Sequence, residues 1–377
     1  MKTTFLFPLI ILFSITSCQV NPWAEFEESP SVITFEKKFS KGRAVEVLEL
    51  PDGRIILNNG LPATGLPKLL IINPYGEVVD TFFQPDFYQS FERMLLVNDK
   101  IVLCGRVRQY VPFDLNFDKA LITSYNLDLT LNQSEVVEDN NKFHHLKKIN
   151  GIATDLTGSI YFWGEYSNDI YFTRSTFFGS TSLNTPLALI SDSVLNVLPD
   201  INSLFSEKGG VIACVAGGYL YILSPVIGIN IQHKKNLGDF SLIGGPVVHS
   251  SGKILMSGLN ANDKSVIQIR NLQGELEKEI AFTDVVFTSM AETQDAGFVA
   301  AGITPDALSG KDICLQKFNS EFEADTSVHQ VYPYESDELP LCIIQTKDKG
   351  YLIGGSQVLG GDEWMFLLRT DSIGVIK

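Results

Sequence analysis

Ile343-Ile344-Gln345-Thr346-Lys347-Asp348-Lys349-Gly350-Tyr351-Leu352-Ile353-Gly354-Gly355, followed after a short gap by Asp362-Glu363-Trp364-Met365-Phe366-Leu367-Leu368-Arg369-Thr370-Asp371-Ser372-Ile373-Gly374, decides the fold. It reads as a β run, a polar turn ending in Gly, a second β run closed by Gly, a loop, an Asp, a third β run and an Asp-bearing turn. Upstream, the same order appears in Ser289–Gly302 followed by Asp312–Asn319, and in Val247–Gly258 followed by Ser265–Gly274. Earlier first turns fall at Glu207-Lys208-Gly209-Gly210, Asp155-Leu156-Thr157-Gly158, Asn98-Asp99-Lys100 and Pro51-Asp52-Gly53. The Gly closing the second run recurs as Gly60, Gly105, Gly164, Gly217, Gly258, Gly302 and Gly355, at intervals of 41 to 59 residues.

Repeats of about 40–50 residues with four short strands each mark an all-β chain folded as a β-propeller. Helical solenoids share the period, but these runs are β-branched and alternate at period two. Two packed sandwiches are the structural alternative, and they require no seven-fold copying. The expected fold is seven four-stranded blades spanning residues 31–377. The last repeat stops at Ile373–Lys377 with almost no fourth strand, while an orphan run, Val32–Phe39, precedes the first repeat. That run is predicted to pair with residues 364–370 as the outer strand of the last blade, tying the ends together and covering an edge.

The pattern resembles a repeat common in secreted and lipid-anchored propellers of the Bacteroidota, written DGGY…G…D…KTD..G. The resemblance covers essentially the whole mature chain, implies the fold, and says almost nothing about activity. The second repeat lacks the turn Gly, the fourth is compressed after Gly218, and the third carries a long insertion.

Met1-Lys2-Thr3-Thr4 is a short basic segment, and Phe5–Ile15 is an apolar run of 11 residues, the length of a signal-peptide core and too short to span a bilayer. It leads into Ile15-Thr16-Ser17-Cys18, which resembles a bacterial lipoprotein signal. The resemblance implies cleavage of residues 1–17 and acylation of Cys18, whose several chains give stable anchoring. Gln19 at the next position disfavours inner-membrane retention by the same resemblance. Residues 18–30, with Glu25, Glu27, Glu28, Pro22 and Pro30, read as an acidic tether. An acidic stretch after the Cys resembles, loosely, the surface-export signal of Bacteroidota lipoproteins, so periplasmic and cell-surface placement both stay open. No other stretch approaches 18 apolar residues.

The chain has 377 residues, 45% hydrophobic, with 29 Lys+Arg against 44 Asp+Glu and a net charge of −15, which argues against a nucleic-acid partner. Trp-docking repeats of the quinoprotein kind, the Ser-x-Asp-x-Gly-x-x-Trp box of sialidases, a Gly-x-Ser-x-Gly elbow and a phosphate-cradling loop are all missing from the sequence. The double Gly of kelch repeats occurs at this position only as Gly354-Gly355. His144-His145 would face opposite ways on a strand and has no identifiable third ligand. Asp114-Leu115-Asn116-Phe117-Asp118 alternates oxygen ligands like a calcium loop but lacks its Gly and distal Glu, and Asp118 matches the position of Asp312 and Asp362, so a structural Asp is expected. Neither metal nor cofactor is expected. Cys104, Cys214, Cys314 and Cys342 read as buried small hydrophobes.

In a propeller, the loops from second to third strand and from blade to blade share one face. Long loops are expected there at Arg106–Phe113, Glu165–Pro186, Ile303–Lys311 and Gln357–Glu363. Arg106, Arg108, Tyr110, Tyr166, Arg174 and Phe177 are the candidate ligand contacts, since aromatics beside Arg anchor proteins and glycans well. Asp169–Thr173 can alternatively form a strand of its own, with Tyr171 and Phe172 packing rather than binding. The reading is a monomeric, non-catalytic, lipid-anchored propeller of the outer membrane that binds a protein or glycan. One alternative is a polysaccharide hydrolase or lyase, which needs two carboxyl groups about 5–9.5 Å apart. The other is an envelope assembly scaffold, similar to the eight-bladed lipoprotein of the outer-membrane insertion machinery.

Overall fold

Short runs rich in Val, Ile, Leu and Phe, with Gly, Asn or Asp wherever one must fold back on the next, pair with their own neighbours as antiparallel hairpins. The structure is a computed structural model and describes residues 33–60, 68–82, 89–109, 117–136, 146–154, 159–166, 169–176, 186–190, 205–208, 211–216, 218–224, 230–306, 310–334 and 336–377. Among the described residues the strands assemble into seven four-stranded sheets. Six are meanders in chain order, over residues 44–82 (sheet I), 89–136 (II), 146–190 (III), 205–236 (IV), 241–282 (V) and 286–332 (VI). Sheet VII takes three strands from residues 337–370 and its fourth from the other end of the chain, the closing strand Phe35–Lys41.

The closing strand runs antiparallel to Asp362–Thr370, with Phe35 opposite Arg369, Lys38 opposite Phe366 and Lys41 opposite Trp364. Thr34 Oγ1 donates to the Lys377 carbonyl at 3.1 Å and accepts from the Lys377 N–H at 2.8 Å. The expected pairing of this run with residues 364–370 is present, over Phe35–Lys41 rather than 32–39.

The innermost strands are Ala44–Glu49, Gln89–Val97, Leu146–Thr154, Phe205–Lys208, Ser241–His249, Val286–Glu292 and Asp337–Gln345. Each touches the innermost strand of the next sheet, and Asp337–Gln345 touches Ala44–Glu49, so the sheets radiate from a closed ring. This is a β-propeller. Two separate sandwiches would leave no such cycle.

Apolar residues from facing sheets fill the wedges between them. Ala44, Val47, Ile55 and Leu57 of sheet I share a core with Cys342, Leu352, Met365 and Leu367 of sheet VII, and Phe35 of the closing strand joins it. Comparable cores join sheets VI and VII, V and VI, IV and V, and I and II. Cys104, Cys214, Cys314 and Cys342 are free and buried. Residues 33–377 form one compact unit. The expected signal, Cys18 and the acidic tether lie outside the described residues.

The repeat's turn residues have separate physical tasks. The Asn or Asp after the third strand accepts two backbone N–H bonds across its own turn. Asn73 receives Tyr75 and Glu77, Asn271 receives Gln273 and Glu275, Asn319 receives Glu321 and Glu323, and Asp371 receives Ile373 and Val375. The repeat lacking a turn Gly solves the same problem with Asn98 and Asp99, at φ 46° and 58°. The Gly closing the second strand is there for proximity. A Cβ on Gly355 would lie 2.1 Å from the Leu339 carbonyl oxygen, and one on Gly302 would lie 2.4 Å from that of Val286. In both sheets the first strand bulges beside this Gly, between Pro340 and Cys342 and between Phe287 and Ser289.

First-to-second and third-to-fourth turns lie on one side of the ring, called lower here; second-to-third turns and inter-sheet connectors lie on the upper side. On the lower side one contact repeats from sheet to sheet. Glu292 of sheet VI accepts from the Ser250 N–H of sheet V at 3.2 Å, and Gln345 of sheet VII accepts from the Gln294 N–H of sheet VI at 2.7 Å. Glu49 of sheet I accepts from the Lys347 N–H of sheet VII at 2.9 Å. The seam between the first and last sheets thus uses the same staple as interior junctions. Glu49 also lies 3.7 Å from the buried Arg369. Replacing Glu49 by Ala removes a charge-assisted bond at a buried seam and is expected to cost about 2 kcal/mol in urea unfolding, with Glu49→Gln recovering part of it because the amide still accepts. Equal losses for the two variants would show that the backbone bond contributes nothing.

Candidate functional site

The upper side is built differently from the sequence expectation. Arg106–Phe113 is not a loop throughout. The second strand of sheet II extends to Gln109 and pairs with Phe117, which puts Arg108 opposite Asp118 in register and Arg106 opposite Ala120. Sheet III corrects Glu165–Pro186 further. Its second strand ends at Tyr166, Asp169–Thr176 is its third strand, and Tyr166 pairs directly with Asp169. The period-two alternation of Asp169–Thr173 is thus that of a strand, and Tyr171 and Phe172 are ladder residues opposite Gly164 and Trp163.

This moves one predicted contact to the other side. Tyr166 stands at the upper end of sheet III, whereas Arg174 pairs with Tyr161 near the lower end of the same hairpin. A chain that turns back between Tyr166 and Asp169 carries Arg174 away from Tyr166. Phe177 and Tyr110 lie outside the described residues, as do His144 and His145. Of the six predicted contacts, Arg106, Arg108 and Tyr166 are the ones the strand register brings to upper ends.

The other two expected loops are also strand extensions. Asp306 pairs with Gly310, and Leu359 pairs with Asp362 across Gly360-Gly361. The upper side therefore presents protruding hairpins. The tip of sheet VII exposes Val358 and Leu359 beside Asp362, which pairs with Lys41 at 2.7 Å, and Glu363, which pairs with Arg43 at 2.7 Å. The repeated Asp before the third strand organises connectors. Asp312 accepts from the Tyr334 N–H at 3.1 Å where the chain passes from sheet VI to sheet VII, and Asp362 holds Lys41 where it passes into sheet I.

Sequence reasoning missed a recess of about 270 Å3 on the lower side, between sheets VI and VII. Gln294, Asp295, Lys317, Gln345, Lys349 and Tyr351 line it. The turns Thr293-Gln294-Asp295 and Thr346-Lys347-Asp348 share one construction: the Thr hydroxyl donates to the Asp carboxylate, which also holds the cation near the end of the third strand, Lys317 or Arg369. Burial raises the Asp295 and Asp348 carboxyls, but these bonds and charges together hold both below the usual carboxylate range. The signal was present as Thr-x-Asp-x-Gly matched to Lys or Arg in the third strand. It reads as turn chemistry unless the two are known to meet.

His249 is a packed residue, with Nδ1 2.8 Å from Ser251 Oγ and Nε2 3.2 Å from the Gly297 carbonyl of the next sheet. Among the described residues no group of three or more His, Cys, Asp or Glu side chains could hold a metal ion.

The ring geometry has solved counterparts. The WD40 domain of Neurospora crassa Pan2 superposes with a TM-score of 0.54 at 11% identity, covering 86% of this chain and 89% of that one. A structure of BBS1N in complex with ARL6DN gives a TM-score of 0.51 at 11% identity, covering 92% of this chain and 99% of that one. At such identity the likeness is one of fold. No protein-family model matches the chain, and no curated protein does.

Proposed function

We propose that this chain is a lipid-anchored, non-catalytic propeller of a bacterial outer membrane, that its seven sheets are the complete set of blades, and that it binds a protein or glycan through the upper hairpins. The observation that carries this reading is where the chain joins the ring. Thr34 is held by Lys377, and Phe35 stands opposite Arg369 at the lower end of sheet VII. On this reading the tether enters the ring at the lower end of sheet VII, the end opposite the upper hairpins. A rigid ring that displays protruding hairpins away from its anchor suits recognition.

Acylation is tested by palmitate labelling and membrane fractionation of the full chain against Cys18→Ala. The variant is expected to lose both label and membrane association, and an unchanged variant refutes the anchor. Recognition is tested on residues 31–377 with glycan arrays and cross-linking in envelope preparations. Binding should fall at least tenfold in an Arg106→Ala, Arg108→Ala, Tyr166→Ala triple variant and be unchanged in Lys349→Ala on the lower side. The opposite pattern assigns recognition to the lower recess.

A further inference from the structure

Glu338 and Gln357 are direct cross-strand partners at the upper end of sheet VII, and each is 2% exposed. Gln357 Nε2 donates to Glu338 Oε1 at 2.5 Å and to Ser336 Oγ at 2.7 Å, while Ser336 Oγ donates to Glu338 Oε1 at 2.6 Å. One oxygen of each group is left over. Glu338 Oε2 and Gln357 Oε1 are both buried and neither has a hydrogen-bond partner.

Two buried acceptors on adjoining groups cannot satisfy one another, and each costs desolvation without return. Reversing the amide changes nothing, since a carboxylate has only acceptors and some oxygen stays unmatched whichever way the carboxamide points. A single proton resolves it. A neutral carboxylic acid offers one donor and one acceptor, as a primary amide does, and the two edges are complementary.

We infer that Glu338 is carried in the folded ring as a neutral acid, doubly hydrogen-bonded to the Gln357 carboxamide, and that this proton latches the upper hairpin of sheet VII. The surrounding charges fit. Burial pushes the Glu338 carboxyl up, the bonds from Ser336 and Gln357 oppose this, Asp312 of sheet VI pushes it further up, and Lys38 of the closing strand opposes it weakly, the balance lying above the ordinary Glu value. Tyr334 on the connector faces the same group and is hydrogen-bonded to Glu36 of the closing strand. Asp337, the preceding residue, is exposed.

The direction of the pH effect follows. Unfolded Glu338 ionises near its ordinary value of 4.5, whereas folded Glu338 keeps its proton to higher pH. The folded state binds more protons in that interval, so stability is complete below about pH 4.5 and falls as pH rises towards the folded value. One retained proton raises the unfolding equilibrium constant by up to about tenfold per pH unit across the interval. Ionisation places a charge beneath the Val358–Asp362 tip, and amides there are expected to exchange faster with solvent.

The test is urea unfolding of the full chain and of Glu338→Gln between pH 4.5 and 8, with amide exchange over residues 356–363. The wild type should lose stability as pH rises, with faster exchange at the tip, and Glu338→Gln should be flat through that range. A slope shared by both proteins overturns the proposal. So does stabilisation by added Ca2+ or Na+ that Glu338→Gln abolishes without any pH slope, which would mean that a cation bridges the two oxygens. Should Glu338→Gln not fold, carboxyl 13C titration of Glu-labelled wild type decides. A Glu resonance that titrates above the ordinary range supports the latch, and its absence rules it out.

Discussion

Phe35→Ala is expected to lower the stability of the ring by about 3 kcal/mol, the usual loss for a large buried aromatic. Phe35 is 7% exposed and packs into the core that sheets I and VII share. It also lies against the sheet I turn, where a Cβ on Gly76 would come within 2.9 Å of its ring. The side chain therefore joins three parts of the seam: the closing strand, the last sheet and the first. The closing strand pairs with a neighbour on one side only, and Glu36, Lys37 and Lys38 are exposed; Ile33 and Phe39 are only partly buried, which leaves Phe35 as its one buried apolar anchor. Without Phe35 the strand should fray first and bare the Asp362–Thr370 edge to pairing with other chains. Urea unfolding gives the size of the loss, and limited proteolysis locates it, with new cleavage expected before residue 42. An unchanged midpoint, or first cleavage elsewhere, would mean that the ring is held shut without this strand.

Gly355→Ala should be comparably severe. The added methyl would sit 2.1 Å from the Leu339 carbonyl oxygen and 2.7 Å from the Phe366 ring. Backbone on one side and a buried ring on the other leave no flexible atom to yield, so the bulge after Pro340 must shift. Overpacking of this kind costs about 3 kcal/mol. Gly360→Ala is the matched control in the same hairpin. Gly360 has φ +60° and open space around it, so the substitution incurs only the left-handed backbone penalty, about 1 kcal/mol. Equal destabilisation by the two would show that proximity to the first strand does not explain the recurring Gly.

The ring was legible because its information is local and repeated. Turn residues such as Asn271 and Asp371 act within five residues, and the strands between them alternate cleanly. The orphan run at Phe35 was legible by subtraction, since one repeat lacked a strand and one run lacked a repeat. The upper side was harder to read. Arg106–Gln109 and Ile303–Asp306 looked like loops because they follow the recurring Gly, yet that Gly marks a bulge in the neighbouring strand and the ladder continues past it. Glu49, Gln345 and Glu292 gave no signal at all, because each acts on a different repeat from its own. Glu338, in Ser336-Asp337-Glu338-Leu339-Pro340, reads as a solvated connector residue. Its burial comes from Asp337–Gln345 and Tyr351–Leu359 meeting at that register.

Joining Thr34 to a partner 343 positions away also sets the order of events in biogenesis. During synthesis the leading strand emerges first and its partner last, so six sheets can assemble while the seventh waits, three strands wide. Pairing between residues so far apart in the chain depends on the sheets between them having formed first. Pairing of the closing strand is therefore expected to come last, and until it forms the Asp362–Thr370 edge stays open to proteases and to other copies of the chain.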